Sequence, residues 1–334
     1  MKMNRKLPLV LLVVITMFGY SQSEGNVCTN KGSYSEYTDP RLHYKVIKDD
    51  FENPDIDIEE IIKEITTGKG FVMLPQLFSE KDITHARELT QYLIKTQGNK
   101  ATHFQGTEDE QTKLQARVWN MLDKGQIYEK MVQHPIILKI MRQILGDDAQ
   151  LGSIASNTLF PGGAGQEPHL DYPYWDYYNK GHWPQSPKHP DIPFFMNFQA
   201  TILLDDFTAE NGATGVRPGT QLKAEWPHDT EEFHRNVEQG VGKAGDVMVF
   251  VGLLQHCAMD NKSNNTRTGI LLQYLPKYVR PMEDIKRSIS DDVIERLSPE
   301  LKKLLLWDYP YPALLDKAEA KSTEGSKSDF KWKD

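Results

Sequence analysis

His169 and Asp171 lie two residues apart in the stretch EPHLDYPYWDYY, and both are residue types that bind metal ions. On a β-strand this spacing directs both side chains to the same face. An imidazole and a carboxylate are two of the three ligands of a mononuclear iron site that leaves coordination positions open for oxygen chemistry. The same pair also occurs on ordinary protein surfaces, so the interpretation depends on a third ligand.

A candidate third ligand, His256, lies in the stretch GDVMVFVGLLQHCAMDNKSNNTR. A Gly-Asp turn leads into an apolar segment typical of a strand, a short loop carries His256, and Arg267 follows eleven residues later at the start of another apolar segment. Two strands of one barrel would bring His169, Asp171 and His256 to a single Fe(II). Arg267 would place a planar cation between strands, where it can bind a carboxylate through two hydrogen bonds.

Each of these residues also has an ordinary structural explanation. A lone buried histidine is usually a hydrogen-bonded core residue, and a strand-end arginine such as Arg267 can pair with a nearby acid such as Asp260. The metal site is favoured by the order of the features along the chain, which is His-x-Asp, a Gly-rich turn, a Gly-Asp strand, His and then Arg. We interpret four other histidines as surface or lid residues: His182, His189, His228 and His234.

The elements that carry the candidate ligands are predicted to be strands. From Leu151 onward, short apolar and aromatic runs alternate with clusters of Gly, Pro and Asn, and the runs are IASNTLF, FFMNFQATILL, GDVMVFVG and RTGILLQYL. This rhythm is typical of an antiparallel sandwich or jelly roll. Residues 172–193 are rich in Tyr, Trp and Pro and are too irregular for a hairpin, which favours a lid or pocket wall. Their aromatic side chains either bind an apolar substrate or pack the segment onto the sheet: Tyr172, Tyr174, Trp175 and Trp183.

Residues 55–146, which precede the strands, are predicted to be mostly helical. Ser79 followed three residues later by Asp82 predicts a helix start, with the apolar stripe Ile83, Ala86, Leu89 and Leu93 behind it. A short buried strand, GFVMLP, is predicted before this helix, and a further helix is predicted from Pro135 to Gly146. The fold class that follows is mainly β with flanking helices.

The composition is that of an ordinary globular protein, with 334 residues, 39% hydrophobic and 26% charged, which excludes a wholly disordered chain. A formal charge of -8 gives no general reason to expect nucleic acid or an anionic membrane as a partner, so a small molecule or peptide is favoured. Only Cys28 and Cys257 are present, which excludes a disulfide-built scaffold. A buried unpaired Cys257 is favoured over a disulfide between the two.

The two ends of the chain differ from its middle. The basic stretch MKMNRK, the apolar run LPLVLLVVITMFGY and the small residues SQS predict a secretory signal over residues 1–23. The predicted localisation is therefore the periplasm, the endoplasmic reticulum lumen or the exterior, with an uncleaved membrane anchor as the alternative. Asn261 and Asn264 begin glycosylation sequons, which matter only in a host pathway that glycosylates. The polar residues 317–334 are predicted to be a disordered tail.

Taken together, these motifs resemble the phytanoyl-CoA dioxygenase family, whose members are Fe(II)- and 2-oxoglutarate-dependent oxygenases on a double-stranded β-helix, a cupin-like jelly roll. The family's turn segment is matched by ENGATGVRPGTQL and its strand segment by GDVMVFVGLLQHCAMDNKSNNTR, within a similarity that runs from about Gly68 to Pro281. The chain departs from the family pattern at Thr220-Gln221, which replaces the usual Ser-His, and we assign no chemistry to that segment.

The resemblance implies a role for each candidate residue and one oxygenase domain over residues 24–316. His169, Asp171 and His256 would be the iron ligands, and Arg267 would hold the distal carboxylate of 2-oxoglutarate. Further cosubstrate contacts are implied for Asn157, Gln199 and Thr201. Within the domain we expect a helical part at about 55–146, a jelly-roll core at about 150–281 and C-terminal helices at about 283–316.

The implied reaction uses Fe(II), O2 and 2-oxoglutarate, releases succinate and CO2, and hydroxylates a C-H bond of a small molecule. Related halogenases replace the carboxylate ligand with a small residue, so the presence of Asp171 favours hydroxylation or another oxidation. Two alternatives stay open: a secreted jelly-roll binding protein with a vestigial or structural metal site, and an iron oxygenase of this fold that uses no 2-oxoglutarate. The substrate itself is not identified by the sequence, because function depends on the pocket rather than the fold.

Overall fold

The computed structural model describes residues 56–97, 114–174, 193–223 and 225–307. Four sequence predictions fall outside this part of the chain: the secretory signal, the C-terminal tail, the pairing of Cys28, and most of the aromatic segment 172–193. Among the helices that the structure does describe, none combines the length and the apolar character that a membrane span requires.

The first two helices begin where the sequence places capping residues. Helix α1 (Ile58–Thr67) is capped by Asp57, whose carboxylate accepts a hydrogen bond from the Glu60 backbone N-H at 3.1 Å. Strand β1 (Phe71–Leu74) follows, and then helix α2 (Glu80–Gln97). The Asp82 backbone N-H donates to the Ser79 hydroxyl at 3.2 Å, which confirms the predicted helix start.

Strand β2 (Gln115–Val118) and helices α3 (Gln126–Val132) and α4 (Pro135–Leu145) complete the segment before the strands. The predicted bounds of α4 are confirmed. Its first residue is a proline, which has no backbone N-H. This costs nothing at a helix start, because the N-H groups of the first turn have no partner within the helix. It ends at Gly146, which has a φ of 99°, a backbone angle that residues with a side chain rarely adopt.

The larger sheet has six antiparallel strands: β1, β2, β3 (Gln150–Leu159), β4 (Phe198–Leu203), β7 (Val247–Val251) and β9 (Arg267–Leu275). Their order across the sheet is β1-β7-β4-β9-β3-β2. The predicted fold class, mainly β with flanking helices, is confirmed. The predicted strand GFVMLP corresponds to β1, but it is an edge strand and only Leu74 of it is fully buried.

A smaller sheet contains β6 (Glu238–Gln239), β5 (Thr214–Val216) and β8 (His256–Ala258), in that order. The alternation of side chains along β9 shows how the larger sheet is used. Ile270, Leu272 and Tyr274 pack into the main hydrophobic core, where the Tyr274 hydroxyl donates to the Val132 carbonyl of α3 at 2.9 Å. Arg267, Leu271 and Gln273 point to the opposite face and line a cavity that the smaller sheet also lines.

Four short helices remain. Helix α5 (Thr230–Arg235) lies between β5 and β6, and three helices follow β9: α6 (Ile285–Ser288), α7 (Asp291–Glu295) and α8 (Pro299–Leu304). Two ion pairs join the segment that contains α7 and α8 to α3 and α4. Arg296 donates to the Glu129 carboxylate at 2.7 Å, and Arg142 pairs with Glu300. The C-terminal segment is therefore attached to the helical layer behind the sheet.

His134, at the start of α4, gives a prediction for acid stability. Its side chain is buried against Phe78, and Nε2 lies 3.1 Å from the Leu77 carbonyl oxygen. Burial lowers its pKa from 6.5 to about 4. Between these two values the unfolded chain binds a proton that the folded chain does not, so stability falls as the pH falls through this window. The loss is on the order of 3 kcal/mol at pH 4, at about 1.36 kcal/mol per pKa unit.

We expect the variant His134→Gln to lose this part of the pH dependence. Urea unfolding of both proteins between pH 4 and pH 7 measures it. Other buried histidines titrate in the same range, so the quantity to compare is the difference between the two proteins. Parallel stability curves would show that His134 does not carry the effect.

Candidate metal centre

Three side chains meet at one point between the two sheets. His169, Asp171 and His256 each offer a ligand atom, and these atoms all lie within 4.8 Å of one another. His256 begins strand β8, and His169 pairs with it through an isolated antiparallel bridge with N-H···O distances of 3.0 and 3.1 Å. The Asp171 backbone N-H donates to the Gly252 carbonyl at 2.8 Å. The His-x-Asp pair is therefore held by single backbone contacts and not by a regular strand.

The orientation of both imidazoles suits metal binding. His169 Nδ1 lies 2.7 Å from the Glu167 carbonyl, and His256 Nδ1 lies 2.8 Å from the Leu254 carbonyl. Because a carbonyl oxygen only accepts, each Nδ1 carries the proton and each Nε2 presents a lone pair. The two Nε2 atoms lie 4.0 and 3.4 Å from the Asp171 carboxylate oxygens. Two neutral imidazoles and one carboxylate match the donor set of a facial iron site with open positions.

The protonation states of the triad agree with this arrangement. Burial lowers the pKa of both His169 and His256 to about 4, and the neighbouring His256 lowers the pKa of His169 further while Asp171 opposes the shift. Both rings are therefore neutral at pH 7. Burial also raises the pKa of Asp171, because a carboxylate in this position lacks the solvation that water gives. A divalent cation reverses that effect, since it stabilises the ionised carboxylate.

The triad opens into a cavity of about 530 Å³. All seven residues that the sequence analysis selected line this cavity: Asn157, His169, Asp171, Gln199, Thr201, His256 and Arg267. They come from strands β3, β4, β8 and β9 and from the loop before residue 174. The structure thus brings them together, while their individual roles stay predictions.

Arg267 is the first residue of β9, as expected, and is only 2% exposed. Its Nη2 donates to the Gly212 carbonyl, and its guanidinium carbon lies 4.6 Å from the centre of the Phe207 ring. No carboxylate of the described residues forms an ion pair with it, and Asp260, the acid considered as its partner, instead accepts a hydrogen bond from the Gly165 N-H at 2.9 Å. Burial lowers the pKa of Arg267 to about 10, so it is charged at pH 7 and suited to an anion.

The three further residues differ in what they contact. Asn157 lies on β3, and its Oδ1 is buried without a hydrogen-bond partner among the described residues. Thr201 lies on β4, opposite Leu271 of β9. Gln199 forms a hydrogen bond with Asp171, which stabilises the ionised carboxylate and lowers its pKa in opposition to burial. Gln199 therefore belongs to the surroundings of the metal triad.

The sequence analysis missed a second arginine. Arg117 lies on β2 directly opposite Asn157 and lines the same cavity. Burial lowers its pKa to about 10, while the nearby charge of Asp171 opposes the shift. The sequence signal for Arg117 was a charged residue between the apolar residues Ala116 and Val118. This run is too short for the alternation of a strand to be recognised.

The cavity lining also contains residues without a predicted role. Gln166 and Glu167 come from the stretch before His169, and Trp119, Trp226 and Met282 add apolar surface. His228, predicted to be a surface or lid residue, is exposed and lines the cavity. Its position is consistent with that prediction.

Residues 217–222 have a structural role that the sequence did not reveal. Gly219 adopts a φ of 78° in the predicted turn. The Thr220 hydroxyl accepts a hydrogen bond at 3.0 Å from the backbone N-H of Gln255, the residue before His256. The Gln221 side chain donates to the Gly68 carbonyl at 3.0 Å. Thr220 therefore supports the loop that carries His256, and Gln221 ties the turn to the segment before β1.

Two modification predictions can be compared with the structure. Cys257 is buried and forms no disulfide within the described residues, and burial raises its pKa to about 12; that it does not pair with Cys28 stays a prediction. Asn261 is 1% exposed, and its side chain donates to the carbonyls of Leu159 and Asn265 at 3.1 and 2.8 Å. Asn264 is exposed, so of these two sequons only the second is accessible in the folded chain.

Comparisons with known proteins agree with this geometry. A family model described as phytanoyl-CoA dioxygenase matches residues 67–269. The dioxygenase andF of Emericella variicolor is 25% identical over 274 residues, which cover 80% of this chain and 88% of that protein. The dioxygenase aneA of Aspergillus aculeatus is 28% identical over 191 residues, which cover 55% of this chain and 60% of that protein.

Solved structures of similar shape include two enzymes of nogalamycin biosynthesis. The non-heme alpha ketoglutarate dependent carbocyclase SnoK has a TM-score of 0.53 and 19% identity, and the match covers 74% of this chain and 93% of SnoK. The epimerase SnoN, in complex with Fe3+ and alpha ketoglutarate, has a TM-score of 0.52 and 15% identity, over 67% of this chain and 86% of SnoN. At this identity the likeness shows a shared fold. Since the family model spans residues 67–269 of the 334, the chain belongs to the phytanoyl-CoA dioxygenase family.

Proposed function

We propose that this protein is an Fe(II)- and 2-oxoglutarate-dependent dioxygenase that hydroxylates a C-H bond of a small molecule. The observation that carries the proposal is the position of Arg267, a buried cation in the same cavity as the His169, Asp171 and His256 ligand atoms. Membership of an oxygenase family and the likeness to alpha ketoglutarate dependent enzymes support the same conclusion.

His169, Asp171 and His256 would hold the iron, because their ligand atoms converge and both imidazoles present an unprotonated Nε2. The bound iron supplies the coupling of O2 reduction to the oxidative decarboxylation of 2-oxoglutarate, with succinate, CO2 and an oxidised substrate as products. The carbonyls of Glu167 and Leu254 fix the rings in the tautomer that this role requires.

Arg267 would bind the carboxylate of 2-oxoglutarate that is remote from the metal. The Gly212 carbonyl and the Phe207 ring hold its guanidinium in place and leave its other N-H groups for the ligand. Arg117 contributes a second positive charge near Asp171. Two arginines and a divalent cation together balance the negative charges of Asp171 and a dicarboxylate, so binding of the cosubstrate leaves no large excess of buried charge.

Hydroxylation is the specific part of the proposal, since enzymes of this fold include a carbocyclase and an epimerase. Asp171 fills the position that would otherwise be open to a halide. The test is anaerobic loading with Fe(II) and 2-oxoglutarate, followed by O2 and a library of metabolites scored by succinate release. The expected product contains one added oxygen atom that derives from labelled O2. A product of unchanged composition would show that the enzyme isomerises its substrate. A product that has only lost two hydrogens would indicate ring formation. Either result would contradict hydroxylation.

Entry into the secretory pathway stays a prediction based on residues 1–23 alone. N-terminal sequencing of protein from its native host is the measurement, with an expected start near residue 24. An intact Met1 on protein from the cytoplasm would contradict it.

Glycan analysis of protein from a glycosylating host is expected to find Asn264 modified and Asn261 unmodified, because only the former is exposed.

A further inference from the structure

Three uncharged polar side chains form a row across the larger sheet on the cavity face. Ser153 of β3 pairs with Gln273 of β9, and Gln273 pairs in turn with Gln199 of β4. All three line the cavity and are at most 9% exposed. We refer to Ser153, Gln273 and Gln199 as the amide row.

Gln273, the centre of the amide row, has a polar atom that the protein leaves unsatisfied. Its Oε1 is buried and accepts no hydrogen bond from the described residues. A buried unpaired carbonyl destabilises a folded protein, and such groups are rare in native structures. A methyl group on Gly152 would lie 2.8 Å from this oxygen, so the absence of a side chain there keeps room for it. The Nε2 of the same carboxamide also forms no hydrogen bond with the described residues, and it is not buried as Oε1 is, so a hydrogen-bond acceptor on a ligand in the cavity can reach it.

The amide row lies apart from the predicted cosubstrate site. Gln273 is six residues beyond Arg267 on the same strand, which corresponds to about 20 Å at roughly 3.3 Å per residue. Gln199 contacts Asp171, so the row lies at the level of the metal triad. If the proposed function holds, a five-carbon dicarboxylate that joins Arg267 to the metal occupies the Arg267 side and leaves the amide row to the substrate.

The surroundings of the row are mostly apolar. The next row on the sheet contains Ala155, Leu271 and Thr201. Met282 also lines the cavity and is held near the row, because the backbone N-H of Glu283 donates to the Gly152 carbonyl at 3.1 Å, beside the β-bulge that precedes Ser153. The arginines and acids that line the described cavity are Arg117, Glu167, Asp171 and Arg267, and none is a strand neighbour of Ser153 or Gln273.

We propose that the amide row binds a neutral hydrogen-bonding group, a carbonyl or a hydroxyl, on an otherwise apolar substrate. The Gln273 Nε2 donates the hydrogen bond to the oxygen of this group, and the apolar neighbours contact the hydrocarbon part. A charged substrate group is disfavoured at this position, because Asp171, the acid that contacts Gln199 of the row, would be neutralised by the metal, and no other acid or arginine of the described cavity lining is a strand neighbour of Ser153 or Gln273. The contact fixes which C-H bond of the substrate faces the metal, so it determines the site of oxidation.

Three probes of equal ring size test this without a known substrate: cyclooctanone, cyclooctane and cyclooctanecarboxylate. Their binding to the metal-free full-length protein is measured by saturation-transfer NMR, so that the result does not depend on turnover. We expect cyclooctanone to bind roughly tenfold more tightly than the other two, the effect of one hydrogen bond to an otherwise unpaired amide. The variants Gln273→Met and Ser153→Ala should remove or weaken this preference.

The control Gln239→Met carries the same side-chain change on β6, outside the cavity, and should keep the preference. Melting temperatures distinguish binding from structure. Gln273→Met is expected to melt at the same temperature as the parent protein or higher, because it removes an unpaired buried carbonyl and keeps a side chain of similar shape.

Three results would overturn the proposal: equal binding of cyclooctanone and cyclooctane to the parent protein, an unchanged preference in Gln273→Met, or no binding of any of the three probes. A separate titration of the iron-loaded protein with 2-oxoglutarate tests the proposed function. If the iron-loaded parent protein does not bind 2-oxoglutarate, the proposed function is refuted, and the probe preference of the amide row remains an independent result.

Discussion

The variant Asp171→Ala is expected to lose Fe(II) binding and all iron-dependent release of succinate. Asp171 supplies the only carboxylate among the three converging ligand atoms, with its oxygens 3.4 and 4.0 Å from the two Nε2 atoms. Removing even a side chain that merely orients a ligand typically costs 10- to 100-fold in metal affinity, so the loss of a ligand should exceed about 100-fold. Equilibrium dialysis of Fe(II) under anaerobic conditions measures it.

The fold should survive this change. Burial raises the pKa of the Asp171 carboxyl, so in the absence of metal this group gains nothing from its position, and alanine removes a poorly solvated acid. The backbone N-H of residue 171 keeps its hydrogen bond to the Gly252 carbonyl. The melting temperature of the metal-free variant should therefore equal or exceed that of the parent protein.

Asp260→Ala is the matched control, because Asp260 is an exposed acid outside the cavity lining. It should bind Fe(II) and release succinate like the parent protein. An Asp171→Ala protein with parental iron affinity would show that the assignment of the metal ligands is wrong. A variant that loses iron and also unfolds would be uninformative, and Asp171→Asn, which keeps the size of the side chain, then provides the comparison.

Features that depend on neighbours in sequence were predictable from the chain alone. The bounds of α4 follow from Pro135 and Gly146, whose backbone preferences act within one or two residues. The start of β9 at Arg267 follows from the change of a polar loop into an apolar run. His169, Asp171 and His256 were found because their order along the chain matches a known metal-site pattern.

Features that depend on strand register were not predictable. Arg117 reaches the cavity because β2 pairs with β3 at the edge of the sheet, and no local pattern links a position so far before His169 to the metal site. The amide row likewise exists only because β3, β9 and β4 are neighbours with Ser153, Gln273 and Gln199 in register. Such pairings are set by the whole sheet order, in which the chain neighbours β3 and β4 are separated by β9.

The same limit explains a local expectation at the metal site that the structure changed. His169 and Asp171 were expected on a strand, where alternation brings both to one face. The structure instead gives His169 a single bridge to His256 and attaches Asp171 to Gly252. Both side chains still reach the same point, because the bridging partner is itself the third ligand.

Replacing Arg267 by leucine is expected to weaken 2-oxoglutarate binding by roughly 2 to 5 kcal/mol, the cost of removing one partner of a buried, hydrogen-bonded charge pair. Arg267 is 2% exposed and forms no ion pair with the described residues, so the charge that it meets has to come from a ligand. Iron binding should barely change, because Arg267 is not among the three ligand residues. Calorimetric titration with 2-oxoglutarate under anaerobic conditions, with iron saturating, measures the effect.

Two further variants decide what Arg267 contributes. Arg267→Lys should recover only part of the affinity, because an ammonium cannot reproduce a planar contact through two hydrogen bonds, nor the stacking on Phe207. Arg217→Leu removes a half-buried arginine that pairs with Glu232 outside the cavity, and it should leave 2-oxoglutarate binding unchanged. Parental affinity in Arg267→Leu would exclude this side chain from cosubstrate binding, and the metal triad would then belong to an oxygenase that takes its electrons from another source.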